Sequence, residues 1–306
     1  MRILVTGADG FVGARVAHAL LGAGHEVHGV VFPASRPGRP LPTAVRVHPL
    51  DLCDGARTTA LCEELRPEAC VHAAWYTEPG KYLVAEENLG LLSASVALAQ
   101  ALGRAGCKKF VGLGTCFEYD TGVGYLSETA PCAPQTLYGA CKHALHTVLS
   151  TLAPSYGMGF AWARLFLLYG PGEAPQRLVP DVAQSLLRGQ PARVSHGMQV
   201  VDMMHVDDVA RALSLLASGP AEGAFNVASG VPVAVRDVVA TLAALVGRPE
   251  LPQYGARPSR ATDPQLLCAD VRKLGALGFV PAYDLRTGLQ SALDYWRGQL
   301  PNEVSS

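Results

Sequence analysis

The sequence predicts an α/β fold in which a doubly wound parallel sheet carries a smaller C-terminal lobe. Two observations support this fold class. Short apolar stretches alternate with helical patterns over the first two-thirds of the 306 residues, which is typical of repeated strand–helix units. Apolar residues make up 49% of the chain, which is enough for a substantial core.

The first two-thirds of the chain divide into short predicted strands separated by predicted helices. The apolar runs that predict strands are 3–6, 26–31, 45–50, 69–74, 108–115 and 159–168. Helical patterns occupy 11–21, 56–65 and 83–106, and a further helix carries the pentapeptide 138–142. Because the loops between these elements are short, the strands are predicted to pair in parallel.

A glycine-rich turn directly follows the first predicted strand. Gly7, Gly10 and Gly13 are spaced three residues apart and lead into the helix at 11–21. Glycine permits a tight turn and lets the backbone approach a pyrophosphate, while the helix N-terminus attracts the phosphates. The turn lies between a strand and a helix, as the dinucleotide-binding motif requires, so the sheet is predicted to be of the Rossmann type.

Beyond residue 170 the regular alternation ends. Helical patterns at 178–188, 206–217 and 235–247 mix with short strands at 192–195, 199–204 and 224–229, and the segment 249–265 is extended and rich in proline. This part is too short and mixed for an independent fold. We therefore predict a dinucleotide-binding domain at 1–170. Residues 171–306 are predicted to form mainly a substrate-binding lobe, with some segments that return to the sheet.

Charge and composition exclude several classes of function. The net charge is −1, and no basic stripe is present that would bind nucleic acid or an anionic membrane. No apolar run of about 18 residues predicts a membrane span, and the N-terminus lacks a signal peptide pattern. The eight cysteines form no C-x-x-C pair, which favours reduced thiols and a cytoplasmic location. His143 and His146 lie one helical turn apart without a third ligand nearby in sequence, so no metal site is predicted.

The end of the second predicted strand bears on the choice of cofactor. An acidic residue there would bind a ribose 2′-hydroxyl and repel a 2′-phosphate, but this chain has Val31 and Phe32. Ser35, Arg36 and Arg39 follow in the next loop. This pattern favours NADP(H). NAD(H) stays open, because these arginines also suit a solvated loop.

Tyr138 and Lys142 are four residues apart on a predicted helix and therefore share one face. A free tyrosine titrates at about pH 10, and a nearby ammonium favours its phenolate and brings it into the range of acid–base catalysis. Thr115 ends the fifth predicted strand, at the sheet edge where open α/β folds bind ligands. These three residues predict a site that handles a proton on a substrate oxygen.

With these motifs the chain resembles the extended short-chain dehydrogenase/reductase family, in its nucleotide-sugar epimerase, dehydratase and ketoreductase branch. The resemblance covers nearly the whole chain. It rests on the T-G-x-x-G-x-x-G start, on Thr115, on the Tyr138 and Lys142 pair, and on the segments 72–74, 164–172, 205–212 and 225–230. It implies a nicotinamide cofactor, a nucleoside-diphosphate sugar as substrate, and a homodimer formed through the helices near 82–104 and 136–152.

The resemblance also implies which residues contact the cofactor. Asp51 and Leu52, after the third predicted strand, are expected to border the adenine. The other expected contacts lie on the glycine turn, at the ends of the second and fourth strands, and on the helices and the strand that follow: Gly7, Asp9, Gly10, Phe11, Val12, Phe32, Arg36, His72, Ala73, Ala74, Asn88, Tyr138, Lys142 and Leu165.

One departure from the family pattern concerns the reaction. The 4,6-dehydratases of this branch carry Asp-Glu directly after the catalytic threonine, where this chain has Cys116 and Phe117. A phenylalanine cannot abstract a proton, so the sequence argues against 4,6-dehydration. Cys116 is either an additional acid or base or a packed thiol.

Other departures concern the sugar nucleotide. Leu167 and Val201 replace an asparagine and an arginine that hold the substrate in the family. The arginines of the C-terminal part are expected to pair with the diphosphate instead. The expected substrate contacts, from the loop after the fourth strand to the C-terminal part, are Trp75, Tyr76, Glu78, Thr115, Cys116, Phe117, Leu167, Arg177, Val179, Arg257 and Arg260.

The preferred function from sequence is NADPH-dependent reduction of a nucleoside-diphosphate 4-keto sugar, 6-deoxy or not. Tyr138 would protonate the oxygen that Thr115 holds, and Lys142 would position the ribose. The same trio would serve a 4-epimerase that retains NAD. A third hypothesis, a non-catalytic dinucleotide-sensing protein, is disfavoured because the chain keeps all three residues.

Overall fold

The chain alternates strands and helices in a computed structural model that describes residues 1–33, 38–258 and 264–300. The strands are β1 (Arg2–Thr6), β2 (Glu26–Val31), β3 (Arg46–Pro49), β4 (Ala69–His72), β5 (Lys109–Thr115), β6 (Tyr125–Leu126), β7 (Gly159–Leu165), β8 (Leu167–Tyr169), β9 (Ala192–Arg193), β10 (Val200–His205), β11 (Gly223–Val227), β12 (Pro232–Ala234), β13 (Pro252–Gln253) and β14 (Leu266–Ala269). The helices are α1 (Gly13–Gly22), α2 (Gly55–Leu65), α3 (Glu87–Arg104), α4 (Leu137–Ser155), α5 (Leu178–Leu187), α6 (Val206–Ser218), α7 (Val235–Val246), α8 (Arg272–Gly275) and α9 (Leu285–Gln299).

Seven parallel strands form the larger sheet, in the order β3-β2-β1-β4-β5-β7-β11. The chain runs outward from β1 to β3 and then crosses back to β4 on the other side of β1. Strand order therefore reverses between β1 and β4, and folds of this kind bind ligands at the carboxyl ends of the strands there. The register places Thr6 of β1 beside His72 of β4 at that point. The predicted α/β class with a Rossmann-type sheet is confirmed.

Helices cover both faces of this sheet. α1 and α6 pack together on one face, where Val16, Leu20 and Leu213 are fully buried. α2, α3 and α4 cover the other face, and Leu98 and Leu145 lie in its core. Burying one such side chain contributes about 1.5–3 kcal/mol. The two cores therefore make the sheet a firm platform for the loops at its carboxyl edge.

A second group of elements continues from the end of the first sheet. β12, β10, β14 and β6 form a sheet to which β8 adds by pairing with β10, and β13 pairs with β9. α5, α7 and α9 pack on one another around a third core that contains Val182, Leu242 and Leu289. Since β8 begins two residues after β7 ends, this group starts at the carboxyl edge of the larger sheet. In the part of the chain that the structure describes, no helix is long and apolar enough to cross a membrane.

Several predicted boundaries were wrong. The run 159–168 is two strands, because β8 leaves the larger sheet to pair with β10. β6, β14 and α9 were not predicted. α9 is polar over most of its surface, and its buried residues are Gly288, Leu289, Ala292 and Leu293. The segment predicted as extended, 249–265, contains β13, and its residues 259–263 lie outside the described part.

Candidate active site

The glycine-rich turn joins β1 to α1 where the strand order reverses. Gly7 has a φ of 62°, and its carbonyl oxygen accepts a hydrogen bond from Gly10 N at 2.9 Å. A Cβ on Gly7 would lie 2.8 Å from Ala74 Cα, and a Cβ on Gly13 would collide with the Gly7 carbonyl. These positions therefore require glycine. No side chain caps the first N–H groups of α1, so the turn fits a pyrophosphate.

His72 ties the ends of β1 and β4 together beneath this turn. Its Nδ1 lies 2.7 Å from Thr6 Oγ1, and its Nε2 lies 2.8 Å from Ser95 Oγ. Thr6 Oγ1 also accepts a hydrogen bond from Ala74 N at 3.2 Å. Burial, together with the charge of Lys142, lowers the pKa of His72 to about 3, so the imidazole is neutral. The 72–74 segment thus supports the turn from below.

The residues expected near the adenine and its ribose lie in different environments. Phe32 is 60% exposed just after β2. Leu52 is buried in the core, and Asp51 accepts a hydrogen bond from Cys53 N at 2.9 Å, which closes a local turn. Arg36 lies outside the described residues. Phe32 is therefore the expected adenine-side residue that the structure leaves most open to a ligand.

Arg39 lies against the glycine turn. Its guanidinium is 5.4 Å from the centroid of the Phe11 ring and donates to the Gly172 carbonyl oxygen, with Nε at 3.1 Å. Arg15 of α1 donates to the Pro171 carbonyl oxygen at 3.1 Å. Two cations of the nucleotide-binding region thus hold the segment that leads into α5.

Thr115 and Tyr138 meet at the carboxyl end of β5. Thr115 caps the 3-10 turn Cys116–Glu118, and Thr136 caps α4, which places Tyr138 in the first turn of that helix. The Tyr138 hydroxyl lies near the Thr115 side chain. Burial raises the pKa of Tyr138 above its ordinary value, and Tyr82 adds to this, while the Thr115 side chain acts in the opposite direction. The phenol is therefore protonated at neutral pH, which corrects the expectation of a lowered pKa.

Lys142 lies one turn further along α4 and is 3% exposed. Its Nζ donates to the Leu113 carbonyl oxygen at 2.7 Å and lies 3.7 Å from the centroid of the Trp75 ring. Burial lowers the pKa of Lys142 to about 7, although the Glu118 carboxylate opposes this shift. The ammonium is thus held by a carbonyl oxygen on one side and an aromatic face on the other.

Aromatic rings surround Tyr138. Tyr82 meets its ring edge-on at 4.9 Å, and Trp75 does so at 6.4 Å, measured between centroids. Arg177, at the start of α5, lies 5.3 Å from the centroid of Tyr82. Asn88 is fully buried, accepts a hydrogen bond from Trp75 Nε1 at 2.7 Å and donates to the Tyr82 carbonyl oxygen at 2.7 Å. Asn88, which was expected to contact the cofactor, therefore holds the loop that carries these rings.

Glu118 lies directly behind Thr115 and was not predicted. Its Oε1 accepts hydrogen bonds from Thr115 N at 2.8 Å and from Trp162 Nε1 at 2.9 Å, and its Oε2 accepts one from Arg164 Nε at 3.0 Å. Glu118 is fully buried and Arg164 is 3% exposed, so the two form a buried ion pair. The available signal was the arginine within the apolar run 159–168, because a buried arginine requires a partner.

The same carboxylate approaches two histidines of α4. One ligand atom each from Glu118, His143 and His146 lie within 4.8 Å of one another, so folding supplies the third ligand that the sequence lacked. Both Glu118 oxygens already accept protein hydrogen bonds, and Arg164 neutralises the charge. A divalent cation would have to displace these partners beside a buried guanidinium. The geometry therefore does not favour a metal site.

The residues after Thr115 do not offer a second acid or base. Cys116 is 1% exposed, and burial raises the pKa of its thiol to about 12, so the thiol is neutral. Phe117 is half-buried, and its N–H donates to Thr115 Oγ1 at 3.3 Å. The geometry therefore favours packing, and not catalysis, for Cys116.

The remaining expected contacts, with the cofactor at Leu165 and with the substrate at the other positions, fall into two groups. Val179 is 1% exposed in the third core, whereas Leu165 and Leu167 are half-buried where the chain leaves β7 for β8. In the loop after β4, the Tyr76 hydroxyl donates to Glu78 at 3.0 Å. Half-buried side chains at the carboxyl edge suit a ligand pocket, and a core valine does not.

The three predicted arginines differ in position. Arg177 belongs to the aromatic surround of Tyr138, as described above. Arg257 pairs with Asp181 at 2.6 Å and borders an open cavity of about 430 Å³ beside α5. Arg260 lies outside the described residues. Of the two arginines that the structure describes, Arg177 is the one that lies towards Tyr138, through its contact with Tyr82.

Glu173 is a second carboxyl that sequence reasoning missed. It is 9% exposed, and its Oε2 has no hydrogen-bond partner among the described residues. Burial raises the pKa of Glu173 to about 8, and Arg177 opposes the shift. No sequence signal was available, because a glutamate after Pro-Gly is typical of an exposed loop. A carboxyl that is mainly neutral at pH 7 can donate a hydrogen bond.

Comparison with known proteins gives one family over most of the chain. The model for the NAD dependent epimerase/dehydratase family matches residues 3–228. A UDP-glucose 4-epimerase of Mycolicibacterium smegmatis is 29% identical over 316 residues, which cover 98% of this chain and 99% of that protein. A dTDP-glucose 4,6-dehydratase of Xanthomonas campestris pv. campestris is 28% identical over 270 residues, covering 80% of this chain and 77% of that one.

A solved structure agrees over the same length. The Thermus thermophilus UDP-glucose 4-epimerase, solved in complex with NAD, superposes with a TM-score of 0.85 at 28% identity. The match covers 98% of this chain and 100% of that one. The similarity therefore extends over both groups of elements and is not confined to the larger sheet.

Proposed function

The chain belongs to the NAD-dependent epimerase/dehydratase family, and on that premise we propose that it is a 4-epimerase of a nucleoside-diphosphate sugar. The observation that carries the proposal is the meeting of Thr115, Tyr138 and Lys142 at the carboxyl edge of β5. The order of preference drawn from sequence, with the reductase first, is reversed because the full-length relatives include 4-epimerases.

The residues present fit a nicotinamide dinucleotide. The cradle at Gly7 and Gly13 has no room for side chains, and the unblocked N-terminus of α1 faces the position of a pyrophosphate. The chemistry that such a dinucleotide would supply there is reversible hydride transfer at C4 of the sugar. Of the two nicotinamide dinucleotides, NAD and NADP, we propose that the protein holds NAD.

The protein's own part in the reaction is to handle the proton of the sugar O4. In the reacting complex Tyr138 would act as a phenolate, which accepts that proton as the C4–H bond breaks and gives it back when the 4-keto group is reduced, so no net redox change results. The Thr115 hydroxyl, which lies near Tyr138, would hold the same oxygen. Lys142 would supply the positive charge that stabilises the Tyr138 phenolate before it accepts the proton and after it returns it.

Elimination of water is not supported by this site. A 4,6-dehydratase needs an acid and a base beside the threonine, and the chain has a buried neutral thiol and a phenylalanine at Cys116 and Phe117. Residues 171–306 are proposed to cover the nucleotide sugar, with Arg177 beside the Tyr82 ring that contacts Tyr138. A homodimer through the exposed faces of α3 and α4, where Leu89 and Val148 are 52% and 43% exposed, is also a proposal. A cytoplasmic location stays a prediction.

A second candidate, NADPH-dependent reduction of a 4-keto sugar, is favoured by two observations. No carboxylate follows β2, and Arg39 lies beside Phe11 at the glycine turn, an arrangement that tolerates a 2′-phosphate. The protonated Tyr138 also suits a proton donor.

Cofactor content and turnover separate the two candidates. The purified protein is denatured, and the released dinucleotide is identified by chromatography. The intact protein is then incubated with UDP-glucose and UDP-galactose without added cofactor. The epimerase proposal expects bound NAD and interconversion, and Tyr138→Phe should lower kcat by roughly 10²–10⁴-fold. If the purified protein contains no bound cofactor and oxidises NADPH stoichiometrically with a nucleoside-diphosphate 4-keto sugar, the reductase is supported instead.

A further inference from the structure

Trp75 contacts both members of the proton-handling pair. The face of its indole lies 3.7 Å from Lys142 Nζ, and its edge is turned to Tyr138 with 6.4 Å between ring centroids. Its Nε1 donates to Asn88 Oδ1 at 2.7 Å, and the Asn88 amide is fixed in turn by the Tyr82 and Ala85 carbonyl oxygens. The indole is therefore held by a buried anchor on one side and meets the catalytic groups on the other.

We propose that Trp75 is a positioning residue: its indole face holds the Lys142 ammonium against the Leu113 carbonyl oxygen and so determines where the charge lies relative to the Tyr138 hydroxyl. This rests on the proposed function in that Tyr138 and Lys142 are taken as the proton-handling pair. An indole is the strongest aromatic partner for a cation, and the interaction gains strength where water is excluded. At 3% exposure Lys142 meets that condition.

The other titratable groups around Lys142 do not replace the contact that Trp75 makes with its ammonium. Glu118, on the turn after β5, favours the ammonium, and Cys141 on α4 acts in the same direction. His72, on β4, is neutral, because burial and the Lys142 charge lower its pKa. Glu118 is already paired with Arg164, so its field on Lys142 is partly neutralised. The direct contacts of the ammonium are Leu113 O and the indole face.

Two substitutions isolate the aromatic face. Trp75→Phe and Trp75→Leu both remove the N–H that bonds Asn88, and both leave a smaller side chain. They differ in whether a π face remains for the ammonium. Loss of the face should lower the midpoint at which Lys142 loses its proton by about one pH unit or more. Trp75→Phe should keep part of the interaction and shift the midpoint by less.

The midpoint is measured in the free protein by NMR. The sequence has five lysines, so [¹³C]lysine labelling gives a simple spectrum in which the Cε signal of Lys142 is assigned with Lys142→Met. Wild type should titrate near neutral pH, Trp75→Leu clearly lower, and Trp75→Phe in between. Because no substrate is present, this result is independent of which sugar the enzyme takes, and a failure here is distinct from a failure of the epimerase proposal.

Kinetics supply the second readout. When the indole face is lost, the Lys142 ammonium loses its proton at lower pH. The alkaline limb of the kcat/KM profile should therefore move to lower pH in Trp75→Leu, and by less in Trp75→Phe. An unchanged Lys142 midpoint in Trp75→Leu would overturn the proposal. Equal shifts in the two variants would also overturn it, because the indole N–H or the lost volume would then be the cause. If Trp75→Leu does not fold, Trp75→Met preserves more volume and carries the same comparison.

Discussion

Replacing Glu118 by glutamine should destabilise the protein strongly, although the two side chains have nearly the same shape. The amide keeps an acceptor for Thr115 N but removes the charge that pairs with Arg164 at 3.0 Å. Glu118 is fully buried and Arg164 is 3% exposed, so the guanidinium would be left without an anion and without water. Breaking a buried pair in this way costs roughly 3–5 kcal/mol, a large share of a total stability of about 5–15 kcal/mol.

Urea unfolding at pH 7 measures this cost, and a second pair in the same chain provides the control. Asp294 and Arg297 also form an ion pair, at 2.8 Å, but both side chains are more than half exposed. Asp294→Asn should therefore cost less than about 1 kcal/mol. Arg164→Met combined with Glu118→Gln should cost less than the sum of the two single changes, because the orphaned charge is gone.

The reasoning fails if Glu118→Gln costs no more than Asp294→Asn. The same variant has a catalytic consequence, because the Glu118 charge raises the pKa of Lys142. Its removal should bring the Lys142 midpoint below about 7 and move the alkaline limb of kcat/KM to lower pH. If stability is lost but neither the Lys142 midpoint nor the alkaline limb shifts, the role of Glu118 is structural only.

Three further changes have defined outcomes. The pKa of the Glu173 carboxyl is about 4.5 in the unfolded chain and about 8 in the folded protein, so the native state binds more protons between these pH values and wild-type stability falls as pH rises through them. Glu173→Gln should flatten that fall in thermal melts and recover up to about 3 kcal/mol at pH 7. An unchanged pH profile of stability would contradict this prediction. Gly7→Ala should abolish tight dinucleotide binding, measured by calorimetry, because its Cβ would lie 2.8 Å from Ala74 Cα at a positive φ, whereas Gly22→Ala, with open space around the new Cβ, should bind normally. Cys116→Ala should retain activity within about tenfold, since a thiol whose pKa is about 12 is not an acid–base catalyst at neutral pH; a loss of more than about 100-fold would restore Cys116 to the mechanism.

Local patterns predicted the larger sheet and the trio. The strand–helix alternation, the glycine spacing and the i, i+4 pair of Tyr138 and Lys142 are all properties of neighbouring residues, and the fold class they predict is confirmed. The helix α9 was not predicted because its apolar stripe is short. A sequence signal for its start was available, because Asp284 caps the helix by accepting a hydrogen bond from Thr287 N at 2.7 Å.

The environment of the trio depends on contacts that no local pattern contains. Glu118 meets Arg164 across 46 positions of sequence, and the Trp75 indole meets Lys142 from a loop after another strand. The pKa of Tyr138 was expected to fall because a lysine follows it on the helix. It rises because burial dominates, and Tyr82 adds to the rise. Spacing predicted which residues meet, but not the environment in which they meet.

The contacts of Arg15 and Arg39 with the 171–172 backbone have a kinetic consequence. They join the region that is proposed to hold a dinucleotide to the segment that leads into α5. Under the proposed function we expect release of the dinucleotide to depend on these contacts as well as on its affinity for the glycine turn. A catalyst that oxidises a sugar and must reduce the same molecule again benefits from such retention, because a cofactor that escapes halfway would leave the 4-keto sugar stranded.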